Sequence, residues 1–283
     1  MRLASSPLAG GASVTVAYRE LSDALPAWAC PPPPASACPP VVFLHGGWGY
    51  NIYPVSVGRF RLLIPDRAGY GQSTPITSLP IDFHRRAAIE TAAFLDMLGI
   101  DEAVWWGHSD GAVIAAMAGI EMPERTTAVI LEALHLYKDK PRSRAFFEQM
   151  ATDPDGFSPG VITALRDDHG EDRWREVLRL DGQAWLDLAA SAATPDADLY
   201  DGRLPSLAPP AMVIHGGRDP RSEPGELAAI CRALPNAVVE CHPAAGHSPH
   251  SESVSAKAVA DAVAAFIDGL TPGRREGRRP TSP

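Results

Sequence analysis

The stretch Ala103-Val104-Trp105-Trp106-Gly107-His108-Ser109-Asp110-Gly111-Ala112-Val113-Ile114 decides how this chain reads. A short apolar run enters Gly107-His108-Ser109-Asp110-Gly111 and leaves it as the small-residue pattern Gly111–Ile120. That is a buried strand, a tight turn and a helix, the setting in which G-x-S-x-G forms a nucleophile elbow. The turn is so tight that bulk at either glycine collides with the neighbouring strand or helix. The serine is lifted to a helix N-terminus, which favours developing negative charge. The five letters alone also suit an ordinary Gly-rich strand–helix turn, so the rest of the chain has to carry the argument.

Apolar runs bounded by turn residues recur at Val41–Leu44, Leu62–Ile64, Ala128–Leu131, Ala211–Ile214 and Ala237–Val239. Continuous rather than alternating apolarity predicts strands buried on both faces of a parallel sheet. Val14–Leu21 alternates more and reads as an antiparallel edge strand. Between the runs lie helical patterns at Phe83–Leu98, with Asp82 as N-cap and Gly99 as C-cap, and at Leu227–Leu234 and Val254–Ile267. Strand–helix alternation gives an α/β doubly wound sheet with right-handed crossovers.

Two stretches break the rhythm. Ala29–Pro40 is proline-rich and reads as a stiff surface link. The gap between Leu134 and Ala211 far exceeds a usual connection of about 2–6 residues and carries helical pattern at Arg144–Met150, Val161–Asp168 and Asp172–Leu188. Residues 136–205 are therefore expected to form a helical cap over one end of the sheet. Residues 1–135 and 206–270 would form the core, and 271–283 a disordered tail.

The formal net charge of −9 over 283 residues offers no field for nucleic acid. The one basic cluster, Arg274, Arg275, Arg278 and Arg279, lies in the Pro/Gly/Ser-containing tail. No run of about 18 apolar residues suggests a membrane span, and the N-terminal segment has no secretory apolar region. Four cysteines (Cys30, Cys38, Cys231, Cys241) are too scattered for a disulfide framework, and the last two read as core thiols. A cytoplasmic protein acting on a small molecule is the expectation.

A serine hydroxyl needs a base within hydrogen-bond reach and a carboxylate to orient that base. In this architecture the order is Ser, acid, His, with functional groups just past the C-terminal ends of strands. Ala211–Ile214 runs into His215-Gly216-Gly217-Arg218-Asp219-Pro220, and Ala237–Val239 leads to Ala245-Gly246-His247-Ser248-Pro249. Asp219 and His247 are thus the candidate acid and base. Glu132, at a strand end, is the competing acid, and His250 the competing base. His108 flanks Ser109 and is expected to point away from it. His45, His215 and His242 read as structural, and His135 as lining the pocket. Acyl transfer also needs oxyanion donors. The backbone N–H of Asp110 is one. His45-Gly46-Gly47-Trp48-Gly49 supplies the other, with Gly47 chosen and Trp48 the alternative. Trp48 is also the residue best placed to touch substrate.

Taken together, HGGWG, Asp66-Arg67-Ala68-Gly69-Tyr70-Gly71-Gln72-Ser73, GHSDG, GGRDP and GHSPH resemble the α/β-hydrolase superfamily over roughly residues 14–268. The match is to its capped, serine-nucleophile branch. The resemblance implies an eight-stranded, mostly parallel sheet with one antiparallel strand, and neither metal nor organic cofactor. Haloalkane dehalogenases and epoxide hydrolases of this fold use an aspartate nucleophile; Ser109 at that position favours acyl chemistry.

The cap, with 14 acidic and 9 basic side chains, speaks mildly against a strongly anionic substrate. Phe146, Phe147, Trp174, Trp185 and Tyr200 are candidates for the pocket roof, or for packing among cap helices. Glu148, Asp153 and Asp155 are the carboxylates a prolyl aminopeptidase would use to hold an amino terminus, but HGGWG differs from the HGGPG of those peptidases. Hydrolysis of a carboxylic ester of a small neutral or apolar molecule is the main reading. C–C bond hydrolysis, cofactor-free haloperoxidase or aminopeptidase chemistry on the same triad, and a non-catalytic ligand-binding receptor, are the alternatives.

Overall fold

Alternate residues of the run before Ser109 serve opposite faces of a sheet, which is why the run is apolar throughout. Trp105 packs with the helices on one side and Trp106 with those on the other, and both are fully buried. In the computed structural model, which describes residues 2–7, 13–21, 39–49 and 60–270, this segment is the strand β5 (Ala103–His108). Around it lie β1 (Arg2–Pro7), β2 (Ser13–Leu21), β3 (Val41–Leu44), β4 (Leu62–Pro65), β6 (Thr126–Glu132), β7 (Ala211–Gly216) and β8 (Val238–His242). The eight strands are ordered β1-β2-β4-β3-β5-β6-β7-β8, with β5 parallel to both β3 and β6. Only β2 runs against the rest, being antiparallel to both β1 and β4.

The strand read at Val14–Leu21 is therefore antiparallel as expected but second from the edge. Arg-Leu-Ala-Ser-Ser-Pro, outside it, is too short and polar to show a period. The other edge departs more. Val238 and Val239 of β8 are 46% and 42% exposed, so this apolar run is not buried on both faces. Cys241 on the same strand is exposed and Cys231 half-buried; both are free thiols rather than core residues.

Helices α1 (Phe83–Met97) and α2 (Asp110–Glu121) cover one face, and α7 (Ala256–Leu270) packs Val259, Val263 and Ile267 on the other. Gly99 closes α1 at φ +66, with its own N–H on Asp96 and the Ile100 N–H on Leu95, a Schellman arrangement. Asp82 makes no capping bond; its carboxylate meets Arg86 Nε at 2.8 Å instead, because its backbone is outside the extended region that capping needs.

Between β6 and β7 the chain leaves the sheet for α3 (Arg144–Thr152), α4 (Pro159–His169) and α5 (Trp174–Ser191). The base of this insertion is closed by the antiparallel bridge Tyr137–Asp198 and by bonds from Lys138 N to Ala197 O and Leu199 N to Leu136 O. It is tied to α6 (Glu226–Ala233) by Lys140, whose ammonium meets both oxygens of Glu226 at 2.7 and 2.5 Å. Both groups are buried, and Glu226 also accepts the Leu136 N–H at 2.8 Å, so the buried charges are fully paired. The proline-rich link over residues 29–38, Cys30, Cys38 and the tail from residue 271 lie outside the described residues. Among the described residues no helix is long and apolar enough to cross a membrane.

Candidate active site

The elbow has the backbone its glycines foretell. Ser109 sits at φ 57, ψ −119, a strained setting for a residue with a side chain. A Cβ on Gly107 would stand 1.9 Å from the Gly111 carbonyl oxygen, and one on Gly111 would stand 2.0 Å from that of Leu44. Only glycine allows the helix to return this close to its strand. The Ser109 N–H is held by the Glu132 carbonyl at 2.9 Å.

Three predicted residues meet across 138 positions of sequence. Ser109 Oγ lies 3.1 Å from His247 Nε2, and His247 Nδ1 lies 2.9 Å from each oxygen of Asp219. The Arg221 N–H also donates to Asp219, at 2.8 Å, so the carboxylate forms an Asx turn and grips the imidazole at once. Burial works to raise the Asp219 pKa, but the His247 imidazole and that N–H outweigh it and hold the carboxyl below its ordinary value.

The rival side chains are brought together with each other and not with Ser109 Oγ. His250 Nδ1 lies 2.9 Å from Glu132 Oε1, which also accepts the His250 N–H at 2.8 Å, while Trp106 Nε1 donates to Oε2 at 3.3 Å. His108 turns to the His247 loop, its Nε2 2.8 Å from the His247 carbonyl. Burial and the nearby His247 and His250 push its pKa down to about 3, so it is a neutral donor there. His45 is structural as expected: Nδ1 lies 2.8 Å from the Gly46 carbonyl, and Nε2 accepts the Arg67 N–H at 3.1 Å.

A cavity of about 240 Å³ opens above Ser109. Its lining includes the predicted Gly47, Trp48, Asp110 and His135, together with Phe146, Phe147 and Trp185 of the insertion. Trp174 and Tyr200 pack elsewhere: Trp174 is buried under the Arg175 guanidinium at 4.4 Å, and the Tyr200 hydroxyl donates to the His135 carbonyl at 2.9 Å. Glu148, Asp153 and Asp155 are not in the lining, and Asp155 is paired with Arg175 at 2.8 Å on the surface. Trp48 stacks on Phe146 with ring centroids 5.5 Å apart, making an aromatic wall.

Sequence reasoning missed Asp181 of α5. A Cβ on Gly47 would stand 2.1 Å from its carboxyl oxygen, so the glycine loop is packed directly against this acid. Burial, then the neighbouring Asp110 charge, keeps Asp181 protonated well above the usual carboxylate range. Asp110, by contrast, is held low against its burial by His84 at 3.2 Å, and Trp185 Nε1 also donates to it at 3.0 Å. A lone Asp within a helical insertion carries no sign in sequence that it will touch the elbow. His135 was read as a pocket residue, yet its Nε2 lies 3.2 Å from Ser109 Oγ. Among the described residues no group of three or more His, Cys, Asp or Glu side chains is arranged to hold a metal ion.

With this geometry in place, residues 41–262 match the family described as the alpha/beta hydrolase family, and the chain belongs to it. Two relatives and one solved structure illustrate its place there. Epoxide hydrolase A of Mycobacterium tuberculosis is 34% identical over 98 residues, 32% of this chain and 30% of that protein. The pimeloyl-[acyl-carrier protein] methyl ester esterase of Klebsiella pneumoniae is 28% identical over 184 residues, 62% of this chain and 64% of that one. The chain thus spans under two thirds of the length of both relatives. A thermophilic esterase from Thermogutta terrifontis shares the fold at a TM-score of 0.71, with 20% identity over 96% of this chain and 100% of that one.

Proposed function

We propose that this protein is a serine hydrolase that cleaves the carboxylic ester of a small neutral or apolar molecule through an acyl-enzyme. The observation that carries the reading is the unbroken line Ser109 Oγ–His247 Nε2, 3.1 Å, and His247 Nδ1–Asp219, 2.9 Å. His247 takes the Ser109 proton as Oγ adds to the ester carbon, and Asp219 stabilises the imidazolium so formed. The backbone N–H groups of Asp110 and Gly47 receive the oxyanion. His247 then protonates the departing alcohol. Water enters, gives its proton to His247 and releases the acid.

Residues 136–205 act as a cap, and its Phe146, Phe147 and Trp185, with Trp48, favour an apolar acyl group. The cavity volume of about 240 Å³ suits a small one. The aspartate nucleophile expected of an epoxide hydrolase is replaced here by Ser109, and the methyl ester esterase relative agrees with ester chemistry.

A fluorophosphonate probe should label Ser109 in the folded protein at neutral pH, and aryl esters of graded acyl length should be turned over. Ser109→Ala should abolish labelling and lower turnover at least about 10³-fold. Turnover that survives Ser109→Ala would remove Ser109 from the chemistry. Ligand-induced stabilisation without turnover would favour a receptor instead.

A further inference from the structure

Ser109 Oγ has a second imidazole beside it. His135 Nε2 stands at 3.2 Å and His247 Nε2 at 3.1 Å. A hydroxyl carries one proton and two lone pairs, so it donates to one nitrogen and accepts from the other. His247 has its Nδ1 on the Asp219 carboxylate, which fixes the proton there and leaves Nε2 bare to take the serine proton. The nitrogen of His135 that faces Oγ must then carry its own N–H.

Resting on the assignment of Ser109 as nucleophile, we infer that His135 is a further catalytic residue, whose Nε2–H donates to Ser109 Oγ and stabilises that oxygen whenever its bond to carbon forms or breaks. The chain of donors then has one direction, His135 to Ser109 to His247, with Asp219 at its end. During acylation the Oγ proton passes to His247 and from there to the leaving alcohol. During deacylation a water proton passes to His247, hydroxide adds to the acyl carbon, the C–Oγ bond breaks, and Oγ recovers the proton from His247. His135 keeps its own proton throughout and acts only by its hydrogen bond, which is strongest when Oγ carries negative charge.

The setting of His135 suits this role. It follows β6 directly, through Ala133 at φ 52, and is 4% exposed. Its carbonyl is held by the Tyr200 hydroxyl, its ring stands edge-on to Trp185 at 5.2 Å, and it lies nearly parallel to the His247 ring at 5.8 Å. Burial, then the charges of Lys140 and His247, press its pKa well below 6.5 against the pull of Asp219 and Asp110. A neutral imidazole is what this place requires, because a second cation would oppose the charging of His247.

Two variants and one spectrum test this. In wild type, ¹⁵N NMR of the His135 ring should show the Nε2-protonated tautomer, with the signal shifting when Ser109 is phosphonylated. His135→Phe, which has no donor, should lower kcat about tenfold with KM within about twofold. His135→Gln, whose amide can still donate, should recover most of that loss. The inference is overturned by an Nδ1-protonated ring, by His135→Phe turning over within twofold of wild type, or by His135→Gln falling as far as His135→Phe. The tautomer settles the matter even if a variant does not fold. Failure of the probe to label Ser109 in wild type would overturn the hydrolase reading itself, which is a separate outcome.

Discussion

Two acid–imidazole pairs stand at the C-terminal edge of the sheet, chemically alike, and only one reaches Ser109. In both, a carboxylate lies 2.9 Å from an Nδ1: Asp219 with His247, and Glu132 with His250. Both carboxylates are buried, but the His247 side chain is 25% exposed and that of His250 only 1%. The difference lies in whether the ring faces the cavity or the packed interior. His247 turns Nε2 to Ser109 in the cavity wall. The His250 ring is packed among Phe43 at 5.4 Å, His108 at 5.1 Å and Trp106 at 6.5 Å. Glu132 gathers three donors on its carboxylate and holds the Ser109 N–H on its carbonyl, so one residue joins the nucleophile elbow to the loop carrying His247. A carboxylate–histidine bond is therefore not a sign of catalysis by itself. Its surroundings place one pair within reach of Ser109 and make the other a staple.

The contrast breaks most sharply under exchange of each acid for its amide. Asp219→Asn preserves the size of the side chain but destroys the preference for the Nδ1–H tautomer of His247, so kcat/KM on an aryl ester should fall about 10⁴-fold. Glu132→Gln should act chiefly on stability. One of its side-chain positions becomes a donor facing the Trp106 or His250 N–H, which costs roughly 2 kcal/mol of stability, read as a lower urea midpoint. Turnover per folded molecule should drop less than about tenfold, since Glu132 acts only by placing Ser109 and His247. If Glu132→Gln lost activity like Asp219→Asn while keeping its midpoint, the staple would belong to the chemistry.

How much of this was legible depended on whether the cause was local. The elbow was, because Gly107 and Gly111 are demanded by backbone approaches within the motif itself. Asp219 and His247 were legible because each follows a short apolar run that forms a parallel strand, and strand ends converge in a parallel sheet. The pairing of Glu132 with His250 was not, since both sit in loops or strand ends as suitable as those of the triad. Which acid meets which histidine is decided by register, with Glu132 opposite Ile214 across β6 and β7 and His215 opposite Cys241 across β7 and β8. Asp181 and the approach of His135 were also hidden, because they depend on how the insertion folds back across the elbow. The exposure of β8 was hidden because an apolar trio does not tell whether it is central or at an edge.

A third carboxylate gives the smallest and subtlest test. Asp168 sits beside His169 in sequence and space, yet its Oδ2 is 3.8 Å from His169 Nε2, too far for a hydrogen bond. That nitrogen is instead 2.6 Å from the Trp48 carbonyl, while Nδ1 accepts the Gly71 N–H at 2.9 Å, so His169 is spent on tying α4 to two loops of the core. Burial, then the Asp66 charge, raises Asp168 to about 7, and the Arg19 guanidinium at 3.5 Å only partly offsets them. In the unfolded chain the same carboxyl would titrate near 3.9. Between about pH 4 and pH 7 the folded state thus holds a proton that the unfolded state has lost, and stability falls as pH rises through that window. Asp219 has the opposite sign: its folded pKa is lowered, so its contribution is present above about pH 4 and lost in acid. Asp168→Asn removes only the first effect. The melting temperature of the variant relative to wild type should therefore climb by about 3 °C between pH 5 and pH 8. A difference that stays flat over that range would mean Asp168 is ionised throughout it, as Asp219 is, and that a carboxylate here does not need an imidazole partner to hold its charge.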